Sequence, residues 1–222
     1  MICVPRGTMC LTGRKCFVVC VAILLVSVVS TALFFGAFRG RSIRVACVGD
    51  SITELSTYPT DLQELLGSNY YVREFGVAGA TVLSDTYMPY IGQHRFHASK
   101  DFLPDVVVFL LGTNDARVDN YQSIANFVDD YKLLVNVMKE LESNPRIILV
   151  VPPPLFENDL NLRNENLLEG IIPGIEQVAD ELGLTLVDAY APLAGCPECF
   201  VDGVHPNYDG AAIIAGEVYK VF

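Results

Sequence analysis

The chain has 222 residues, 51% of them apolar, and a formal net charge of −11, which sets one domain with an appendage and a sizeable core. The charge is unevenly spread: six of the fifteen basic residues fall within the first 44 positions, no Asp or Glu precedes Asp50, and the rest sets nine basic against 26 acidic side chains. Such a surface repels polyanions, so nucleic-acid binding is excluded and no nucleic-acid partner is expected.

Residues 1–16 form a basic tail. The run at 17–38, FVVCVAILLVSVVSTALFFGAF, is uncharged over 22 positions. At ~1.5 Å per residue it is long enough to cross a hydrocarbon core about 30 Å thick, and longer than the roughly 7–15 apolar residues of a cleaved signal peptide. One transmembrane helix is therefore expected, anchoring a domain at 43–222, although Ser30-Thr31-Ala32 resembles a cleavage site. Arg6, Arg14 and Lys15 on one flank nearly balance Arg39, Arg41 and Arg44 on the other. The expected localisation is single-pass membrane, with the domain outside the cytoplasm.

Beyond the anchor, short apolar runs alternate with helical patterns. Strands are expected at Ile43–Val48, Tyr70–Phe75, Asp105–Leu111, Arg146–Val151 and Leu184–Val187. A short helix is expected at Pro59–Leu66. Ile124, Phe127, Val128, Tyr131, Leu134, Met138 and Leu141 make one apolar stripe, ended by Pro145. A second stripe runs from Leu167 to Leu182, bent or split by Pro173, and a last helix spans Asp209–Val221. QHRFHASK, with His94 and His97, reads as a solvated stretch between strands. This alternation implies an α/β fold with a five-stranded parallel sheet covered on both faces. Ligands of such folds bind beyond the carboxyl ends of the strands.

The distinctive polar residues fall at those ends. GDSIT follows the first strand, GVAGAT the second and GTND the third, and DGVHP precedes the last helix. A serine hydroxyl needs a base to take its proton. In DGVHP, Asp202 can reach back to one imidazole nitrogen of His205 and leave the other to face Ser51, the arrangement used in acyl transfer. Read alone, the same turn is a capped helix start with Asp202 bonding backbone amides. The amides of Ser51 and Gly79 and the carboxamide of Asn114 are candidate donors to a developing oxyanion. Asp188, at the end of the fifth strand, rivals Asp202 as the partner of His205. Asp50 and Asp115 read as structural, bonding loop amides. One CxxC and scattered histidines do not assemble a metal site, so no metal is expected.

The four blocks together resemble the GDSL-type, or SGNH, hydrolase family, named for Ser, Gly, Asn and His in successive blocks. They occur in order from Gly49 to Pro206, with Ile52 where the family often has Leu, and with Glu74-Phe75 where it often carries an Asn. The resemblance implies a flavodoxin-like three-layer sandwich, Ser51 as nucleophile, His205 as general base and acid, and Asp202 as its orienting carboxylate. It also implies an oxyanion hole of Ser51, Gly79 and Asn114, and no cofactor. A helix starting just after Ser51 would bring its positive end near the oxyanion. The wording around the blocks is most similar to sialate O-acetylesterases and other carbohydrate acetylesterases, so the implied substrate is a carbohydrate O-acetyl ester. The alternatives are a lysophospholipase or thioesterase, and a catalytically silent sugar-binding module; the complete set of four residues argues against the last. An exported domain would meet an oxidising environment, so Cys196 and Cys199 of CPEC are expected to be joined.

Overall fold

Five short strands carry the domain: β1 (Ile43–Gly49), β2 (Tyr70–Gly76), β3 (Val106–Leu110), β4 (Arg146–Val151) and β5 (Thr185–Asp188). They pair in parallel in the order β2-β1-β3-β4-β5. This is the flavodoxin-like order, in which the chain leaves β1 first to one side and then to the other. The computed structural model describes residues 41–222, apart from the side chains of Gln122 and Ser123. Among the described residues no helix is long and apolar enough to cross a membrane. The tail at 1–16 and the span expected at 17–38 lie outside them.

Side chains alternate across the sheet, and both faces are covered. Val45, Cys47, Val108, Ile148 and Val150 pack under α1 (Ser51–Leu55), α2 (Tyr58–Leu66) and α6 (Tyr208–Tyr219). Ala46, Val48, Val107, Phe109 and Leu149 pack under α3 (His94–Asp101), α4 (Phe127–Lys139) and α5 (Ile172–Leu182). Burial on two sides is why the β3 sequence is apolar without a break. Register sets the site: Gly49 lies opposite both Gly76 and Leu110. β1, β2 and β3 therefore end level, and the polar blocks that follow them emerge along one edge.

The structure departs from the sequence pattern in three places. QHRFHASK is a helix rather than an irregular stretch; it buries Phe96 and Ser99 while His94 and His97 stay exposed. The first long stripe opens as a 3-10 segment, Tyr121–Asn126, and becomes α-helical only from Phe127. In the second, a π-helical segment, Leu167–Ile171, runs directly into α5, and Pro173, in the first turn of α5, withholds an N–H at the point where the winding changes from π to α. Elsewhere the boundaries shift by one or two residues.

Phe109, on the central strand, is fully buried and meets Tyr131 edge to face, with ring centroids 6.0 Å apart. Phe109→Ala should cost about 3–5 kcal/mol in urea unfolding. Leu133 on α4 is 48% exposed, and Leu133→Ala should stay within about 0.5 kcal/mol. Similar costs for the two would show that the sheet faces are not the principal core.

Candidate active site

The serine is set by a cap. Asp50 closes the turn beyond β1, its Oδ1 accepting the Ile52 N–H at 2.9 Å. α1 therefore begins at Ser51 itself, whose N–H is one of the first-turn amides without an acceptor inside the helix. With only five residues, α1 supplies oriented amides rather than the dipole of a long helix. Ser51 is only 5% exposed.

The histidine arrives on a loop closed by backbone pairing. Phe200 bridges Pro206, and the Val201 N–H donates to the His205 carbonyl at 2.8 Å. Gly203 turns the loop at φ +81°, where a Cβ would strike the Glu157 carbonyl, and its own carbonyl accepts the Phe156 N–H at 2.8 Å. Asp202 serves both sides of this turn. Its Oδ1 accepts the Val204 and His205 amides at 3.0 and 2.8 Å, while Oδ2 lies 2.7 Å from His205 Nδ1. His205 Nε2 is 2.9 Å from Ser51 Oγ. Burial alone would raise the Asp202 carboxyl, but the amides and imidazole together hold it below its ordinary range. Beside an ionised Asp202 the imidazole carries its proton on Nδ1, so Nε2 accepts from the serine hydroxyl. Asp188 lies elsewhere, accepting the Tyr190 and Ala191 amides. Capping of α6 falls to Asn207, whose side chain accepts from Asp209 and Gly210.

The remaining candidates lie beyond β2 and β3. Asn114 opens a 3-10 turn, and its Nδ2 donates to the Ala80 carbonyl at 3.0 Å. A carboxamide has two N–H groups, so one is committed to positioning and one remains to donate. Gly79 sits at φ +80°, exposed, and beyond its two chain neighbours no atom lies within 4 Å of where a Cβ would stand. Its amide can thus be approached from solvent. Glu54, which the sequence reading passed over, ties this loop to the serine helix: its Oε2 accepts the Ala78 N–H at 2.6 Å. No spacing in the sequence marks it, because its partner is a loop amide 24 residues away. Glu74 is occupied with the Gly76 amide at 3.1 Å and with Arg95 at 2.9 Å. Asp115 accepts the Val82 and Leu83 amides at 3.0 and 2.9 Å and so holds the stretch beyond Gly79.

Two carboxyls are wholly buried here. Burial pushes Asp50 up to about 6, against the pull of the Ile52 amide. Burial likewise pushes Asp115 up to about 7, opposed by the Leu83 and Val82 amides and reinforced by Asp50. Among the described residues no cluster of three or more His, Cys, Asp or Glu is placed to hold a metal ion. Cys196 and Cys199 are joined in a disulfide, and Cys47 is a buried free thiol.

A serine, imidazole and carboxylate in line at the carboxyl edge of a flavodoxin-like sheet define a hydrolase-type site. The profile of the GDSL-like lipase/acylhydrolase family matches residues 47–213, and the chain belongs to this family. It is 32% identical over 200 residues to an acetylxylan esterase of Xylanibacter ruminicola, covering 78% of this chain and 42% of that one. It is 25% identical over 138 residues to the GDSL esterase/lipase CPRD49 of Arabidopsis thaliana, covering 53% of this chain and 54% of that one. The chain thus spans about half the length of the curated relatives it matches. A carbohydrate acetylesterase family member from Sinorhizobium meliloti shares the fold at a TM-score of 0.63 and 23% identity, over 81% of this chain and 96% of that one. The aryl esterase of M. smegmatis does so at 0.63 and 17%, over 81% and 98%.

The buried carboxyls fix the direction of a pH effect. Asp50 and Asp115 bind protons more tightly folded than unfolded, so the stability they contribute is full below the ordinary carboxyl range and is lost as pH climbs through about 6 and 7. Asp202 is depressed, so its contribution is lost only in more acid solution, as pH falls through its folded value. Urea midpoints should therefore fall from pH 5 to pH 8. Asp115→Asn should flatten that slope even if it lowers stability throughout; an unchanged slope would show that Asp115 does not titrate there.

Proposed function

We propose that the domain is a serine esterase that removes small O-acyl groups, acetyl foremost, from carbohydrate hydroxyls. The observation that carries this reading is the relay Asp202–His205–Ser51, with contacts of 2.7 and 2.9 Å. Ser51 Oγ attacks the ester carbonyl as Nε2 takes its proton. The oxyanion is met by the Ser51 and Gly79 amides and the free N–H of Asn114. Collapse breaks the ester C–O bond, and the proton on Nε2 passes to the departing alcohol. Water, deprotonated by the same nitrogen, then cleaves the acyl-serine to a carboxylic acid and restores the hydroxyl. The acetylxylan esterase and carbohydrate acetylesterase relatives support the choice of acetyl and of sugar.

Ser51→Ala or His205→Ala should lower kcat by at least ~10³-fold, and the double variant should be scarcely worse, because the pair acts as a unit. Asn114→Ala should lower kcat by roughly 10²–10³ with little change in KM. Asp202→Asn should be far more damaging than Asp188→Asn, with both proteins folded by circular dichroism. Near-wild-type turnover by Ser51→Ala would sink the mechanism. A clear preference for long acyl chains would replace the acetyl reading with lipid ester hydrolysis.

We further infer that the domain is displayed outside the cytoplasm behind a membrane anchor. The uncharged run at 17–38 and the paired Cys196 and Cys199 support this. Mass spectrometry of native protein alkylated before reduction should find the two cysteines linked, and the domain should be cut by protease added to intact cells. Free thiols in a domain protected until lysis would overturn the placement.

A further inference from the structure

Residues close in sequence to Ser51 and His205 line a depression of about 290 Å³, among them Leu55, Thr57, Val201, Pro206 and Tyr208. We propose that it seats the ring of a neutral sugar, the alcohol part of the ester, with Tyr208 as its stacking platform. This assignment rests on the esterase reading above and specifies its substrate.

The first argument is one of sides. His205 Nε2 must return its proton to the departing alcohol, so the alcohol oxygen lies next to that nitrogen. The carbonyl oxygen is drawn towards Gly79 and Asn114, and neither residue lines the depression. Its walls come instead from the residues flanking the two reacting side chains. Leu55 is four positions beyond Ser51, on the same side of α1, and Pro206 and Tyr208 follow His205. On this assignment the alcohol, departing from the acyl carbon beside His205 Nε2, occupies the depression.

The second argument is chemical. Leu55, Val201 and Tyr208 are 66%, 75% and 80% exposed, three large apolar surfaces around one hollow. Tyr208 sits in the first turn of α6, whose backbone the Asn207 cap orders through Asp209 and Gly210, and its ring meets no other aromatic ring among the described residues and its hydroxyl has no partner there. A sugar offers an apolar face of C–H groups for such a ring and hydroxyls at its edge. The Tyr208 hydroxyl is free to donate, and Thr57 Oγ1, donating to Asp61 at 2.8 Å, still has a lone pair to accept. A purely apolar tail would use the surface and leave these polar groups idle.

The third argument is charge. The depression has no acidic or basic lining residue, and across Val201 the next hollow is lined by Glu157, Asp159 and Asp202. A uronate, a sialate or a phosphate headgroup leaving through Nε2 would face those carboxylates, within a domain already strongly acidic. A neutral ring meets no such penalty.

The test compares kcat/KM for a mono-O-acetylated methyl xyloside with that for vinyl acetate, whose alcohol part is too small to span the depression. Tyr208→Ala should lower the ratio of the two about fivefold to tenfold, through KM rather than kcat, and Tyr208→Phe should restore most of it. An O-acetylated methyl glucuronate should be cleaved at least about tenfold less efficiently than the xyloside by the wild type, with the gap narrowing at high salt. An unchanged ratio in Tyr208→Ala would overturn the platform, as would equal loss on both esters. Equal cleavage of xyloside and glucuronate would overturn the neutral preference. Vinyl acetate cleaved and both sugar esters refused would overturn the sugar assignment and leave the esterase standing. If all three are refused, the esterase reading falls and takes this one with it.

Discussion

The site depends on a single turn, the one that Asp50 closes at the end of β1. Its side chain accepts one amide, from Ile52, and that bond converts a strand into a helix within two residues. A looser exit would let the serine drift with the loop. Instead its backbone is fixed at the depth of the sheet edge, almost out of solvent. The arrangement carries a cost, because the Asp50 carboxyl is wholly buried and its pKa lies near 6. Part of this is offset by the Ile52 amide, which draws the Asp50 carboxyl back down. Once Nε2 takes a proton, an ionised Asp50 and an ionised Asp202 both favour the imidazolium by charge.

Level strand ends do the next part of the work. Because Gly49, Gly76 and Leu110 share a register, the blocks after β1, β2 and β3 meet without long loops. Three carboxylates then lock these loops together by accepting amides: Asp50 within α1, Glu54 from Ala78, and Asp115 from Val82 and Leu83. Asn114 adds the opposite polarity, donating to Ala80. A donor committed to the scaffold with one proton can present the other at a fixed angle, which is what preorganised stabilisation of an oxyanion requires.

The central strands β3 and β4 were legible in the sequence because strands buried on both faces read as continuous apolar runs, and the edge strands β2 and β5 were legible from their place in the alternation with helices. α3 was not legible, because it rests on the sheet through Phe96 and little else, so no apolar stripe marks it. The π-helical segment before α5 was half legible. Pro173 announced an irregularity, but only packing decides whether a helix bends there or changes its winding. In the site, Ser51, Asp202 and His205 could be named because the four blocks together resemble a known family; the Asp202–His205 spacing alone left a capped turn equally open. Glu54, Asn120 and Asn207 could not, since a side chain that serves a loop amide or carbonyl is chosen by tertiary position; Asn120, for example, donates to the Asn114 carbonyl at 2.8 Å.

His205 poses a different problem from Ser51, since no strand delivers it. Its loop is held instead by a ring of backbone bonds. Val201 donates to His205, Phe156 donates to Gly203, and the Asn207 amide donates to the Cys199 carbonyl at 2.8 Å. The Asn207 side chain donates to the Glu198 carbonyl at 2.7 Å while capping α6. Glu198 and Cys199 lie inside the loop that the Cys196–Cys199 bond closes. A disulfide spanning three residues removes little entropy from the unfolded chain, so it adds little to global stability. Its carbonyls nevertheless anchor the residue two positions after the histidine. The bond therefore bears on the placement of Nε2 against Ser51 Oγ, where a shift of about 1 Å can cost ~10²-fold in rate, more than on whether the domain folds.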